Sequence, residues 1–171
     1  MLPPAIAIFS SLLKAHGNRI QVFDTTYYAV DFGIDADGTK MERLNVVPFD
    51  MGSKGIRLRT SNWKEDLKKQ LNEFKPDLIA MSSTEDMWEL GLQVLSEIKE
   101  FKRKNNIPVI AGGVFSTFAP GLCIKSPLID MVCVGEGEEA IIDLCRRIEK
   151  VEDYSNVTNL WAVSYTHLTL P

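Results

Sequence analysis

Short, unbroken apolar runs alternate with amphipathic stretches along most of this chain. Leu78-Ile79-Ala80-Met81, Pro108-Val109-Ile110-Ala111 and Met131-Val132-Cys133-Val134 are continuous rather than alternating, the pattern of strands covered on both faces. Helical spacing fills the intervals. Asn62 followed by Glu65 has the form of a capping box and opens a predicted helix over 63–74. A second helix is expected over 86–104, with Leu92, Leu95 and Ile98 on one side, and a shorter one over 118–125, where Pro120 and Gly121 lie near the start. Glu138 to Ile148 is amphipathic throughout. Upstream, Ile6, Phe9, Leu12 and Leu13 predict a helix over 4–16 that His16 closes and Gly17 stops, followed by a short strand from Arg19 to Phe23.

Strands alternating with helices predict an α/β fold: a doubly wound, flavodoxin-like or Rossmann-like parallel sheet with helices on both faces. Such a domain ordinarily opens with a strand. This chain enters a helix almost at once, so the first strand is expected to be missing, with 77–82, 108–112 and 130–134 pairing as a parallel core. The turn-rich stretch 24–60 is long for a βα connection; Asp37-Gly38 is a hairpin signal between Val30–Ile34 and Leu44–Phe49. Residues 1–150 are expected to form the domain and 151–162 to lead onward. Residues 163–171 fit no element and suggest a non-native tail.

Composition narrows the function classes. At 171 residues, 45% hydrophobic and 25% charged, the chain suits one globular domain with its own core. A net charge of -4 argues against nucleic acid, which is gripped by clustered Lys and Arg. No apolar run approaches the roughly 20 residues of a membrane span, and no basic stretch leads into a signal peptide, so a cytoplasmic location is expected. Cys123, Cys133 and Cys145 have no metal-like spacing and suit buried thiols.

A parallel sheet places ligands at the carboxyl ends of its strands. Three polar or glycine-rich segments fall there. Ser82-Ser83-Thr84 offers hydroxyls that could meet a ligand or cap the following helix. Gly112-Gly113, with Ser116 and Thr117 beyond, allows a close approach by a ligand or another backbone, or forms a tight βα turn. Gly135-Glu136-Gly137-Glu138 is a sharp turn with an acid suited to a helix start. There is no Ser-His-Asp set, metal-ligand pair or phosphate loop, so no catalytic centre is evident.

Taken together, Pro76-Asp77 with Leu78 to Ser82, Pro108 to Gly113 with Thr117, and Asp130 with Val134 to Glu138 resemble the cobalamin-binding domain of B12-dependent radical SAM proteins. The resemblance spans about residues 4–161. It implies that the corrin lies across the carboxyl edge of the sheet while its nucleotide tail enters a groove beside the strands. Ser82, Ser83 and Thr84 then match the hydroxyl-bearing loop at the tail, and Gly112 and Gly113 the glycine pair that makes room for it. Thr117 matches a polar position soon after that pair. Gly135, Glu136 and Gly137 match the next loop beside the ligand. Many relatives carry His where this chain has Phe115, and the D-x-H-x-x-G motif of methionine-synthase-like domains is absent. The implied partner is a radical SAM barrel of the same chain, which would bind a 4Fe-4S cluster and S-adenosylmethionine. Two other readings stay open: a vestigial domain that only packs against a barrel, and a flavodoxin-like binder of a nucleotide or flavin.

Overall fold

A computed structural model of the chain describes residues 4–28, 52–163 and 168–169. The predicted parallel core is present. Strands β1 (Ile79–Ser82), β2 (Val109–Gly112) and β3 (Met131–Cys133) run parallel, with Ile79 opposite Val109, Ser82 opposite Gly112, and Ile110 opposite Met131. Two antiparallel strands extend the sheet beyond β3. Strand β4 (Leu160–Val163) pairs Val132 with Trp161, and β5 (Leu168–Thr169) pairs with β4. The sheet order is therefore β1-β2-β3-β4-β5. Leu160 to Ala162, expected to lead out of the domain, are thus hydrogen-bonded into its sheet, as are Val163 and Leu168–Thr169 of the stretch expected to fit no element.

The unbroken apolar runs of β2 and β3 have the expected cause. Ile110, Met131, Cys133, Leu160 and Ala162 form one core with Leu13 of helix α1 (Pro4–Ala15) and with Ala140, Ile141 and Leu144 of the long C-terminal helix (Glu138–Lys150). Val109, Ala111 and Val132 face the opposite way and are equally inaccessible. Strand β1 departs from this pattern: Ile79 and Met81 are half-buried, whereas Ala80 and Ser82 are exposed. It stands at the edge of the described sheet, so its apolar run is not covered on both faces as expected.

Several predicted elements are subdivided. Helix α2 (Trp63–Phe74) matches its prediction, and the Asn62 side chain accepts from the Lys64 N–H as its cap. The single helix expected over 86–104 is a 3-10 turn (Glu85–Met87) followed by α3 (Trp88–Glu97) and α4 (Lys99–Asn105). The break falls at Ile98, which is buried and leaves helical geometry at φ -110, ψ 6. The next segment is likewise two short helices, α5 (Val114–Phe118) and α6 (Pro120–Cys123), both packed on β2 or β3. Pro120 has no N–H to continue α5 and instead sits at the first turn of α6. The C-terminal helix, now α7, carries Glu138 and Glu139 in its first turn and Arg147 and Lys150 in its last, as its dipole favours.

The strand expected from Arg19 to Phe23 does not form. Ile20 packs on the core, but the Val22 carbonyl accepts from the Gln70 side chain at 3.3 Å rather than from a strand, and the Val22 side chain is exposed. Gly17 ends α1 as predicted, at φ +83. The suggested hairpin around Asp37-Gly38 lies outside the described residues.

At the amino edge of the sheet one carboxylate ties three segments together. Asp130 Oδ2 accepts the Val109 N–H at 2.7 Å, and Lys102 Nζ lies 2.7 Å from the same oxygen while also donating to the Leu128 carbonyl at 3.2 Å. Val109 is fully buried, so its N–H has no access to water. Asp130→Ala is expected to lower unfolding stability by about 1–3 kcal/mol, the cost of a buried unsatisfied donor, and Asp130→Asn, whose amide oxygen can still accept the Val109 N–H, by less. Urea denaturation of the two variants checks this.

The chain forms two compact units, residues 1–21 with 76–171 and residues 22–75. The second unit is organised around Tyr28, which is 4% exposed. Its hydroxyl donates to Asp66 Oδ2 at 2.8 Å and accepts from Arg59 Nη1 at 2.9 Å, and its ring stacks on Phe23. Ser61 Oγ donates to the same Asp66 oxygen at 2.6 Å. These bonds, Ser61 first and Tyr28 second, hold the Asp66 carboxyl below its ordinary 3.8. A depressed carboxyl stabilises the fold above the unfolded value, and that contribution disappears as pH falls through the folded one. Tyr28→Phe is therefore expected to flatten the loss of stability below the ordinary carboxyl value while lowering stability at neutral pH. Melting temperature followed from pH 7 into the acid limb tests both parts.

Candidate functional site

Parallel pairing in register brings the ends of β1, β2 and β3 to one edge, and with them the three segments singled out from the sequence. The hydroxyls after β1 separate by direction. Ser82 and Thr84 are exposed, whereas Ser83 is buried and its Oγ donates to the Thr84 carbonyl at 2.7 Å. Thr84 precedes the 3-10 turn without a side-chain cap. The capping alternative is therefore not realised. The Ser82 and Thr84 hydroxyls have no partner among the described residues and remain available at the edge.

The two glycines after β2 do different work. Gly113 adopts φ +97, ψ -171, a region closed to side chains, and a Cβ there would lie 3.0 Å from the Ser83 carbonyl oxygen and 3.1 Å from Ser82 Oγ. Its missing side chain makes room for the β1 loop, and the Ser83 N–H extends the ladder by donating to the Gly112 carbonyl at 3.3 Å. Gly112 has no positive φ, and a Cβ there would meet nothing closer than Cys133 Cβ at 3.9 Å. Of the pair, only Gly112 has room for a small side chain without strain.

Helix α5 follows directly. Its Ser116, a candidate hydroxyl on sequence grounds, points inward and is completely buried beside the Cys123 thiol. Thr117 faces the edge: its Oγ1 donates to the Gly113 carbonyl at 3.0 Å and accepts the Gly135 N–H at 3.1 Å. Phe115 packs against Trp88, ring centroids 5.1 Å apart. Val114, Phe118 and Leu122 are 63%, 84% and 62% exposed, large apolar side chains on the helices beside the edge.

After β3, Gly135 turns at φ +83 into open space, and Glu136 is exposed. Gly137 is tight: a Cβ there would lie 3.2 Å from the Phe9 ring and 3.3 Å from Cys133 Sγ, so it serves the packing of α1 on the sheet. Burial raises the Cys133 thiol above its ordinary range, with the nearby Glu138 charge adding to the effect. Asn159, missed as a site residue from the sequence, bonds the Glu136 carbonyl through Nδ2 at 2.9 Å while its own carbonyl accepts from the Val134 N–H at 2.9 Å. It adopts φ +65, which Asn tolerates better than most residues. An Asn opening a strand was the available signal.

The edge thus gathers Ser82, Thr84, Gly112, Gly113, Thr117, Gly135 and Glu136, while Ser83 and Gly137 turn inward. It offers hydroxyls, backbone groups and space, without a nucleophile–base pair. Among the described residues no three His, Cys, Asp or Glu side chains are grouped to hold a metal ion, and no helix is long and apolar enough to cross a membrane. His16 lies just beyond the C-terminal end of α1, its Nδ1 2.9 Å from the Leu12 carbonyl oxygen.

A family model described as B12 binding domain matches residues 51–144, more than half of the chain. Cytidylyl-2-hydroxyethylphosphonate methyltransferase of Streptomyces wedmorensis is 24% identical over 136 residues, covering 80% of this chain and 22% of that protein. Two solved structures of the radical S-adenosylmethionine methyltransferase TsrM from Kitasatospora setae share the fold. One holds tryptophan substrate and the SAM analog aza-SAM, at TM-score 0.70. The other holds cobalamin and a 4Fe-4S cluster, at TM-score 0.69. Each is 17% identical and covers 98% of this chain but 27% of the solved one. The chain spans about a quarter of the length of these relatives.

The glycine pair separates structural need from free space. Gly113→Ala is expected to cost about 1–3 kcal/mol, through backbone strain and the Ser83 contact, whereas Gly112→Ala should cost less than about 1 kcal/mol. Denaturant midpoints of the two variants check the ranking.

Proposed function

Because the chain belongs to the B12-binding domain family, matched over residues 51–144, we propose that it is the cobalamin-holding module of a radical SAM enzyme. The observation that carries the reading is the open, glycine-lined edge. Open space stands over Gly135, a side chain at Gly112 would make only ordinary contact with Cys133 Cβ at 3.9 Å, and the Ser82 and Thr84 hydroxyls beside them have no partner among the described residues. A bulky cofactor whose corrin is fringed by amide groups and carries a polar nucleotide tail suits an edge that offers hydroxyls and backbone groups.

In this reading Gly112 leaves the passage for the tail, and Ser82 and Thr84 supply hydroxyls that donate to or accept from it. Gly113 holds the β1 loop against β2, Gly135 and Glu136 form the neighbouring wall, and Thr117 borders both. Ser83 and Gly137 keep the loops in place from within. When bound, cobalamin supplies the methyl-transfer or related radical chemistry, and the protein supplies position and environment. A barrel domain carrying a 4Fe-4S cluster and S-adenosylmethionine, elsewhere in a longer chain, would perform the reaction on the substrate. The resemblance to two methyltransferases supports that partner, and a cytoplasmic enzyme acting on neither nucleic acid nor membrane fits the charge and composition.

The whole protein mixed with hydroxocobalamin and desalted is expected to keep the corrin absorption. Gly112→Ala, which should cost less than about 1 kcal/mol and keep the fold, is expected to bind more weakly than wild type at matched folded fraction. His16→Ala should leave the cobalt-sensitive bands unmoved, since His16 is engaged at the end of α1. No retained corrin band in the folded wild type, or a retained flavin band instead, overturns the reading.

A further inference from the structure

Thr117 was singled out as a cofactor contact, but its hydrogen bonds give it a different task. A threonine hydroxyl has one proton and two lone pairs. The proton is committed to the Gly113 carbonyl at 3.0 Å, and one lone pair receives the Gly135 N–H at 3.1 Å. Those partners belong to two different loops, one after β2 and the other after β3. The same Gly113 carbonyl also accepts the Thr117 N–H at 3.1 Å, so the α5 backbone needs no help from the side chain. A hydroxyl bonding back to the carbonyl four residues earlier does little for a helix. Here that bond fixes the rotamer and aims a lone pair at Gly135.

Gly135 needs such a tether. It sits at φ +83 with nothing within 4 Å of where a Cβ would stand, so no side-chain packing holds it. Its neighbour Glu136 is held through its carbonyl by Asn159 Nδ2 at 2.9 Å. The β3 loop is therefore clamped at successive residues, by Thr117 on the β2 side and by Asn159 on the β4 side. Gly113, the other end of the Thr117 bridge, is pressed against Ser83, so the bridge continues to the β1 loop.

We infer that Thr117 is a positioning residue: its hydroxyl bridges the Gly113 carbonyl and the Gly135 N–H, presetting the spacing of the two loops that flank the ligand space. This rests on the cobalamin reading only for the identity of the ligand; the bridge itself is independent of it. Loops ordered beforehand do not lose that freedom on binding, so the bridge strengthens affinity without touching the ligand.

The test uses Thr117→Val, which keeps the shape and removes the hydroxyl, and Thr117→Ser, which keeps the hydroxyl. Without ligand, amide hydrogen exchange at Gly135 to Gly137 should quicken in the valine variant and stay near wild type in the serine variant. Titration of the whole protein with hydroxocobalamin should then show binding weakened about tenfold by valine and restored by serine, at matched melting temperatures. Unchanged exchange at Gly135 in Thr117→Val overturns the bridge. Quickened exchange with unchanged affinity overturns its role in presetting the site. Wild type that binds no cobalamin while the exchange difference persists defeats the cofactor reading and leaves the bridge standing.

Discussion

The close approach of Gly113 to the β1 loop is the constraint on which the candidate site depends. The Ser83 carbonyl oxygen occupies a position 3.0 Å from where any side chain would begin. Only glycine meets both that contact and the required φ. With Gly113 in place, the Ser83 N–H reaches Gly112 and the β1–β2 ladder extends past the strand ends. Ser83 then turns inward, leaving Ser82 and Thr84 outward. The start of α5 is set by the same residue, and with it the position from which Thr117 reaches the β3 loop.

The two ends of the parallel sheet are held differently. At the amino end, Asp130, Lys102 and the buried Val109 N–H satisfy one another, so that end is closed by charge-assisted bonds. At the carboxyl end the loops are held by bridging bonds from Thr117 and Asn159, while the Ser82 and Thr84 hydroxyls stay unengaged. Both ends are thus held by hydrogen bonds, and the carboxyl edge alone leaves the Ser82 and Thr84 hydroxyls without a partner among the described residues.

How far the sequence was legible follows from which signals are local. The unbroken apolar runs of β2 and β3 announced strands with both faces buried, because burial of Val109, Val132 and Met131 is written in residue type. The Asn62 cap and the Gly17 stop were equally local. The same kind of run in β1 misled, since exposure of Ala80 depends on which neighbours cover that face rather than on its own composition. Arg19 to Phe23 had strand-like residues without a ladder to join. β4 escaped notice because it runs antiparallel to β3, outside the parallel pattern that the alternation of strands and helices suggests. Within the site the candidate segments were found, but not the directions of their side chains. Adjacent residues such as Ser82 and Ser83 look alike in sequence and are separated only by the fold. Asn159 went unassigned because its role exists only after β4 is placed beside β3.

One further consequence concerns the thiols. Cys133 ends β3 directly beneath the edge, 7% exposed, with its proton held on by burial and by the Glu138 charge. Cys123 and Cys145 are raised by burial as well. The thiolate is the reactive form, both as a nucleophile and as a soft ligand for a metal. Kept neutral, these sulfurs are poor targets for electrophiles.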